Sequence, residues 1–196
     1  MNQNLINEAR ESAFRGLDFF VRTQSNFPGS ADCGRFTNIA NVKTGDPRYF
    51  TSNWLTGILA STMLDAWKMT GKEEYLKSAN DAIRYIYSLQ ELAPWRTRTY
   101  GAIHEVTRDG LSAAIALLDH AVLTGNDESM QRAILFGEWF IKYIKIRIAN
   151  SKRTRYRDTP LHTHGQLVWI FMKIFTQLKS AEKLWSREYA KGWELV

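Results

Sequence analysis

Leu64-Asp65-Ala66-Trp67-Lys68-Met69-Thr70-Gly71 decides the fold, because the chain writes it again as Leu118-Asp119-His120-Ala121-Val122-Leu123-Thr124-Gly125. The offset of 54 residues (118 − 64) also pairs Ala79 with Ala133. In each copy an apolar helix runs into Thr-Gly, where Gly supplies the left-handed conformation that follows a last helical turn. A charged, amphipathic helix follows at once. Helical hairpins written in tandem stack on one another to bury their apolar faces.

Outward from this repeat, the apolar spacing predicts about seven helices. They cover Ile6–Gln24, Tyr49–Met69, Lys72–Gln90, Arg108–Leu123, Asp127–Ile148, Gly165–Leu178 and Ala181–Gly192. Segments 52–63, 111–118 and 166–172 contain no Asp, Glu, Lys or Arg. Helices apolar all round are buried and amphipathic ones cover them. The second, fourth and sixth helices therefore form an inner layer, and the others an outer one. Inner-to-outer connections are tight Thr-Gly turns. Outer-to-inner connections are long loops, punctuated by Pro28, Gly29, Gly34, Gly45, Pro47 and Pro94. Residues Arg96–Val106 could pair as a short hairpin. The expected fold is all-α: a single domain over residues 1–196, an array of antiparallel hairpins.

Composition sets the outer bounds. A chain of 196 residues suits one domain with a full core. Its 44% apolar share, seven Trp, eight Tyr and ten Phe exclude disorder. Cys33 is the only cysteine, which excludes an internal disulfide and a thiolate zinc cluster. No apolar run is long enough to cross a bilayer, and Met1–Arg10 has no signal-peptide core. The expected location is therefore cytoplasmic, or secreted or periplasmic for a fragment. P-loop, dinucleotide-binding, His-Glu-x-x-His and Gly-x-Ser-x-Gly motifs are all missing. No cofactor is expected.

Alternating antiparallel helices collect every long loop at one end, together with the N-termini of the inner helices and their unpaired N–H groups. Loops on a rigid scaffold carry function. Loops 26–48 and 92–107 each hold a net +1 and loop 149–164 a net +3, nearly all of the chain's +6. Such an end attracts anions. Arg35, Arg48, Arg96, His162 and His164 are its candidate anion contacts; Asn53, Trp54 and Trp95 are candidate ligand contacts beside them. Trp54, on an inner helix, reads more readily as core than as a ligand contact. His104-Glu105 and Asp109 are the best acid–base cluster, although Asp109 reads also as a first-turn helix carboxylate. His162-Thr163-His164 is half of a metal site, with no third ligand at a convincing spacing, so no metal is assigned. The run Lys152-Arg153-Thr154-Arg155-Tyr156-Arg157 reads equally as a solvated basic loop.

Asn53-Trp54-Leu55-Thr56-Gly57, the stretch Thr70-Gly71-Lys72-Glu73-Glu74-Tyr75-Leu76, and then Ala79, Ala82 and Ser88-Leu89-Gln90 resemble the outer- and inner-helix pattern of the (α/α) toroid superfamily. That superfamily includes six-hairpin glycosidases, related polysaccharide lyases and sugar epimerases. The resemblance covers about residues 49–145. It implies a carbohydrate-active domain with its site at the loop end, where aromatics hold sugar rings, Arg and His bind carboxylates, and Asp or Glu does acid–base work. Six hairpins would need twelve helices, so this chain corresponds to a partial toroid. The expectation is a domain binding acidic, uronate-type oligosaccharides. Hydrolysis through Glu105, Asp109 and His104 comes first; elimination or epimerisation is the alternative. A homo-oligomer, or a missing toroid half, would complete the ring. A non-catalytic scaffold that binds protein or nucleic acid through its basic loops is the rival reading, with nucleic acid the less favoured ligand and a membrane excluded.

Overall fold

The computed structural model describes residues 3–37, 39–40, 47–48, 53–103 and 107–151, of which 39–40, 47–48, 107–108, 141 and 143–151 are described as backbone. The protein is all-α. Its described helices are α1 (Gln3–Thr23), α2 (Trp54–Thr70), α3 (Glu73–Leu89), α4 (Thr107–Thr124) and α5 (Asp127–Ser151). The two-residue strands β1 (Ile39–Ala40) and β2 (Pro47–Arg48) pair antiparallel between α1 and α2. The expected helices over 165–178 and 181–192 lie outside the described residues. Two compact units divide the chain, Met1–Leu89 and Gln90–Val196.

The Thr-Gly turns close as their sequence demands. Gly71 (φ 70°) and Gly125 (φ 72°) take left-handed backbone. Their N–H groups donate to the Trp67 and Ala121 carbonyls at 2.7 and 2.9 Å. The Thr70 and Thr124 hydroxyls donate back to the Ala66 and His120 carbonyls at 2.7 and 2.6 Å. The next helix then starts with acids, Glu73 and Glu74 in α3 and Asp127 and Glu128 in α5, which suit the positive end of the helix dipole. Asn126 caps α5, its Oδ1 accepting the Ser129 N–H at 2.8 Å.

In unit 1, α2 packs along α3, and α1 touches α3 more lightly. Leu59, Ala60, Met63 and Leu64 of α2 and Tyr75, Ala79, Ala82, Ile83 and Ile86 of α3 are buried. No residue of α1 is fully buried. It is fastened instead by Phe14 stacked on Tyr75, Phe20 edge-on to Phe36, and Asp18 accepting the Tyr75 hydroxyl at 2.6 Å. Burial, and then the Asp18 carboxylate, push the Tyr75 hydroxyl pKa up to about 12. In unit 2, α4 lies along α5. Residues 111–121 are buried throughout, the behaviour expected of an inner helix with no charge in its middle. Phe136, Trp139 and Phe140 of α5 complete that core.

A second repeat, in the loops, accompanies the helical one. Gln24, just past α1, donates through Nε2 to the Gly34 carbonyl at 2.8 Å and the Ser78 carbonyl of α3 at 3.0 Å. Gln90, just past α3, donates to the Gly101 carbonyl at 3.1 Å and the Arg132 carbonyl of α5 at 2.9 Å. Ser78 and Arg132 are 54 residues apart, the offset of the hairpins. Paired backbone bonds close both loop bases. Ser25 N–H meets Arg35 O and Gly34 N–H meets Ser25 O, while Glu91 N–H meets Ala102 O and Gly101 N–H meets Glu91 O. Gly34 and Gly101 both have φ 92° and lie against helix backbone. A Cβ there would come within 2.0 Å of the Asp81 carbonyl oxygen or 2.6 Å of that of Leu135. Thus each loop is clasped to the amphipathic helix that follows it. Between Arg96 and Tyr100 the backbone makes consecutive turns, and Ile103 bridges to Gln90, where a hairpin over Arg96–Val106 was the expectation.

Candidate functional site

The clasp fixes what stands at the loop end of each unit. Unit 1's loop carries Asp32, Cys33 and Arg35, then the buried Phe36 and Thr37. Arg35 is 8% exposed. Its Nη1 donates to Asp32 Oδ1 at 2.8 Å, while Nε and Nη2 are buried without a hydrogen-bond partner among the described residues. Cys33 is partly exposed.

The expected helix from Tyr49 is described only from Trp54. Asn53 precedes it with φ −93° and ψ 0°, outside helical geometry, and makes no side-chain cap. Its Oδ1 instead accepts the Tyr85 hydroxyl of α3 at 2.7 Å. Asn53 is thereby a buried anchor of the α2 start, and its contact is to protein. Trp54 is half-buried beside it. One turn on, Thr56 is fully buried and its Oγ1 has no partner among the described residues. Most helical hydroxyls described here bond back to their own helix, as Thr62, Thr70, Ser112 and Thr124 do.

Unit 2's loop presents a different surface. Trp95 is 79% exposed at its crest, with Leu92 and Tyr100 also exposed. Arg96 is bound to Glu91 at 2.7 Å. The Ala93 N–H and, beyond it, the Arg96 guanidinium hold the Glu91 carboxyl below its usual pKa against a desolvation effect. Glu91 is therefore ionised near neutrality and suits loop bracing better than proton donation. The Trp139 indole N–H donates to the Arg98 carbonyl at 3.0 Å and steadies the same loop from α5.

Asp109 sits in the first turn of α4 and is 1% exposed. Its place matches the first-turn carboxylate reading made from sequence, and its burial withdraws it from solvent. Arg48 lies in β2, its backbone paired with Ile39; its side chain is not described. His104, Glu105, His162 and His164 lie outside the described residues, as does the run Lys152–Arg157. Of the expected site residues, the structure describes the side chains of Arg35, Asn53 and Trp54 in unit 1 and of Trp95, Arg96 and Asp109 in unit 2. Among the described residues, no group of three His, Cys, Asp or Glu is placed to hold a metal, and no helix is long and apolar enough to cross a membrane.

Sequence reasoning missed Gln24, Gln90, Thr56 and Tyr85. The closing Leu-Gln of α3 was visible as a pattern, but its role as a loop clasp was not. The signal for it was available: a Gln ends both α1 and α3, and a Gly follows it ten residues later in one case and eleven in the other.

No family model, no curated protein and no solved structure matches the chain.

Proposed function

We propose that this chain is a carbohydrate-binding and carbohydrate-processing domain of the (α/α) toroid type, a partial toroid whose clasped loops receive acidic oligosaccharides. Trp95 carries the reading. A large aromatic held 79% exposed, on a loop locked at its base and braced by Glu91–Arg96, has the properties of a sugar-ring platform. Arg96 and Arg98 on the same loop supply the cationic surroundings an acidic glycan requires. Hydrolysis by carboxylate acid–base chemistry is the reaction we favour, with Glu105, His104 and Asp109 as its acid–base candidates. Elimination or epimerisation would use the same end. Arg35, Arg48, His162 and His164 are proposed as further carboxylate contacts.

A second reading has its own support. The described loop carboxylates are already engaged, Asp32 by Arg35 and Glu91 by Arg96, as in a scaffold that binds without chemistry.

One screen separates them. Melting temperature is measured with oligogalacturonides, neutral oligosaccharides and single-stranded DNA at low and high salt. A salt-tolerant rise with the oligogalacturonides, about tenfold weaker in Trp95→Ala (~1.4 kcal/mol), is the expected outcome. A rise with DNA alone, lost at high salt through counterion release, overturns the sugar reading.

A further inference from the structure

Arginine's guanidinium has a side-on edge, Nε–H and Nη2–H, whose two parallel donors match the two oxygens of a carboxylate. In Arg35 this edge is the buried, unpartnered one, since the Asp32 ion pair occupies Nη1. A charged edge withdrawn from water and given no acceptor is a standing cost in the unliganded protein.

A second orphan belongs to the same neighbourhood. Gly34, adjacent to Arg35, lies against the root of the Tyr85 side chain, and the Tyr85 hydroxyl reaches Asn53. Thr56, with its own unpartnered Oγ1, is three residues into the chain from that Asn53. The corresponding position of the other unit has no room for a side chain. Thr56 corresponds to Gly110 at the 54-residue offset, and a Cβ on Gly110 would meet the Ile103 carbonyl at 2.4 Å. Ile103 follows Ala102 in one loop as Phe36 follows Arg35 in the other.

Resting on the sugar reading above, we propose that unit 1 holds a subsite for the carboxylate of a sugar acid, gripped side-on by Arg35 Nε and Nη2, with Thr56 Oγ1 taking a neighbouring ligand hydroxyl. The charge state selects the ligand. Asp32 already neutralises Arg35, so a bound carboxylate leaves the buried group with one net negative charge and a phosphate monoester with two, and the subsite disfavours the second. A lysine would keep the charge and lose the fork. The Arg35 edge is buried, so the ligand enters by displacing what covers the guanidinium.

The full chain is titrated with galacturonate, galactose and galactose 6-phosphate, following the Arg35 Nε–H signal in arginine-labelled protein. Galacturonate should move that signal and bind at least tenfold more tightly than either other sugar. Arg35→Lys should lose that tenfold, with circular dichroism reporting whether it folds. Asp32→Asn, at a half-exposed carboxylate, should turn the preference tenfold toward the phosphate, which keeps the test alive if Arg35→Lys does not fold. An Arg35 signal unmoved by galacturonate, or an unchanged preference in Asp32→Asn, overturns the subsite. Oligogalacturonide binding that needs Trp95 and ignores Arg35 removes the subsite and leaves the sugar reading. Arg35-dependent galacturonate binding without any response to oligogalacturonides does the reverse.

Discussion

In unit 2 the ring of Phe136 lies against Gly110, close behind Ile103; in unit 1 the three corresponding positions are Ala82, Thr56 and Phe36. The loop residue beside them is Ala102 in unit 2 and Arg35 in unit 1. One unit thus fills its loop end with an aromatic over a glycine. The other replaces the aromatic by a methyl and introduces a hydroxyl and a guanidinium. The frame around both is the same: a terminal Gln, a left-handed Gly on the following helix, and a Thr-Gly turn. A shared frame with unlike contents separates the residues that hold the structure from those free to differ between the units. A similar exchange occurs at the turn end. Ala66 and Tyr75 of unit 1 stand where unit 2 has His120 and Ser129, the small and large partners trading helices. Tyr75 reaches Asp18, whereas His120 Nδ1 and Ser129 Oγ share a hydrogen bond of 2.7 Å.

The equivalence of the two frames is breakable, most severely at the glycines. Alanine at Gly34 combines a left-handed backbone with a near-collision on the Asp81 carbonyl, and should cost about 3–4 kcal/mol in urea unfolding. Gly101→Ala has a looser clash and should cost about 2–3 kcal/mol. Losses below about 1 kcal/mol at both would show that neither loop is seated tightly on its helix. Next come the clasps. Leucine at Gln24 or Gln90 leaves two carbonyls without their donor, about 2–3 kcal/mol in each case. Gln24 should cost more, since its Oε1 accepts the Ser78 hydroxyl at 2.7 Å where that of Gln90 accepts Arg132 Nη1 only at 3.5 Å.

The smallest effect sharpens the contrast at the turn end. Burial lowers the pKa of His120 below its usual value. The unfolded chain takes up that proton first as pH falls. Stability from the neutral ring is therefore whole above about pH 6.5 and drains away below it, toward the depressed folded pKa, by at most ~1.4 kcal/mol per pH unit. His120→Gln should flatten this slope in a pH series of melting temperatures. Unit 1, whose sequence contains no histidine, offers no counterpart.

What could be read from the chain followed from how local the cause was. Thr70-Gly71 and Thr124-Gly125 announce helix ends because the left-handed residue and its hydrogen bond lie within one turn. The uncharged stretch 111–118 announces a buried helix for the same kind of reason. The clasps escaped because they join residues 42 to 54 positions apart through a single amide. Their register is also masked. The loops match at an offset of 67 residues (Gly34 with Gly101), the hairpins at 54, a difference of 13 residues inserted before α2. Among the candidate site residues, Arg35 was legible as a cation, while the Asp32 bond on one side of it and the unpartnered edge on the other are facts of three dimensions. Asp109 was legible as a carboxylate near a helix start, and its burial came from the packing of α4.

The direction of the clasps bears on how the chain is made. Gln24 closes its loop on Ser78, and Gln90 on Arg132, so each loop's lock is supplied by a helix synthesised later. As the polypeptide leaves the ribosome, the first loop stays unsealed until α3 has emerged, and the second until α5 has. Assembly is thereby given an order, each new hairpin latching the loop before it, and a stalled or truncated chain carries an open latch at its growing end.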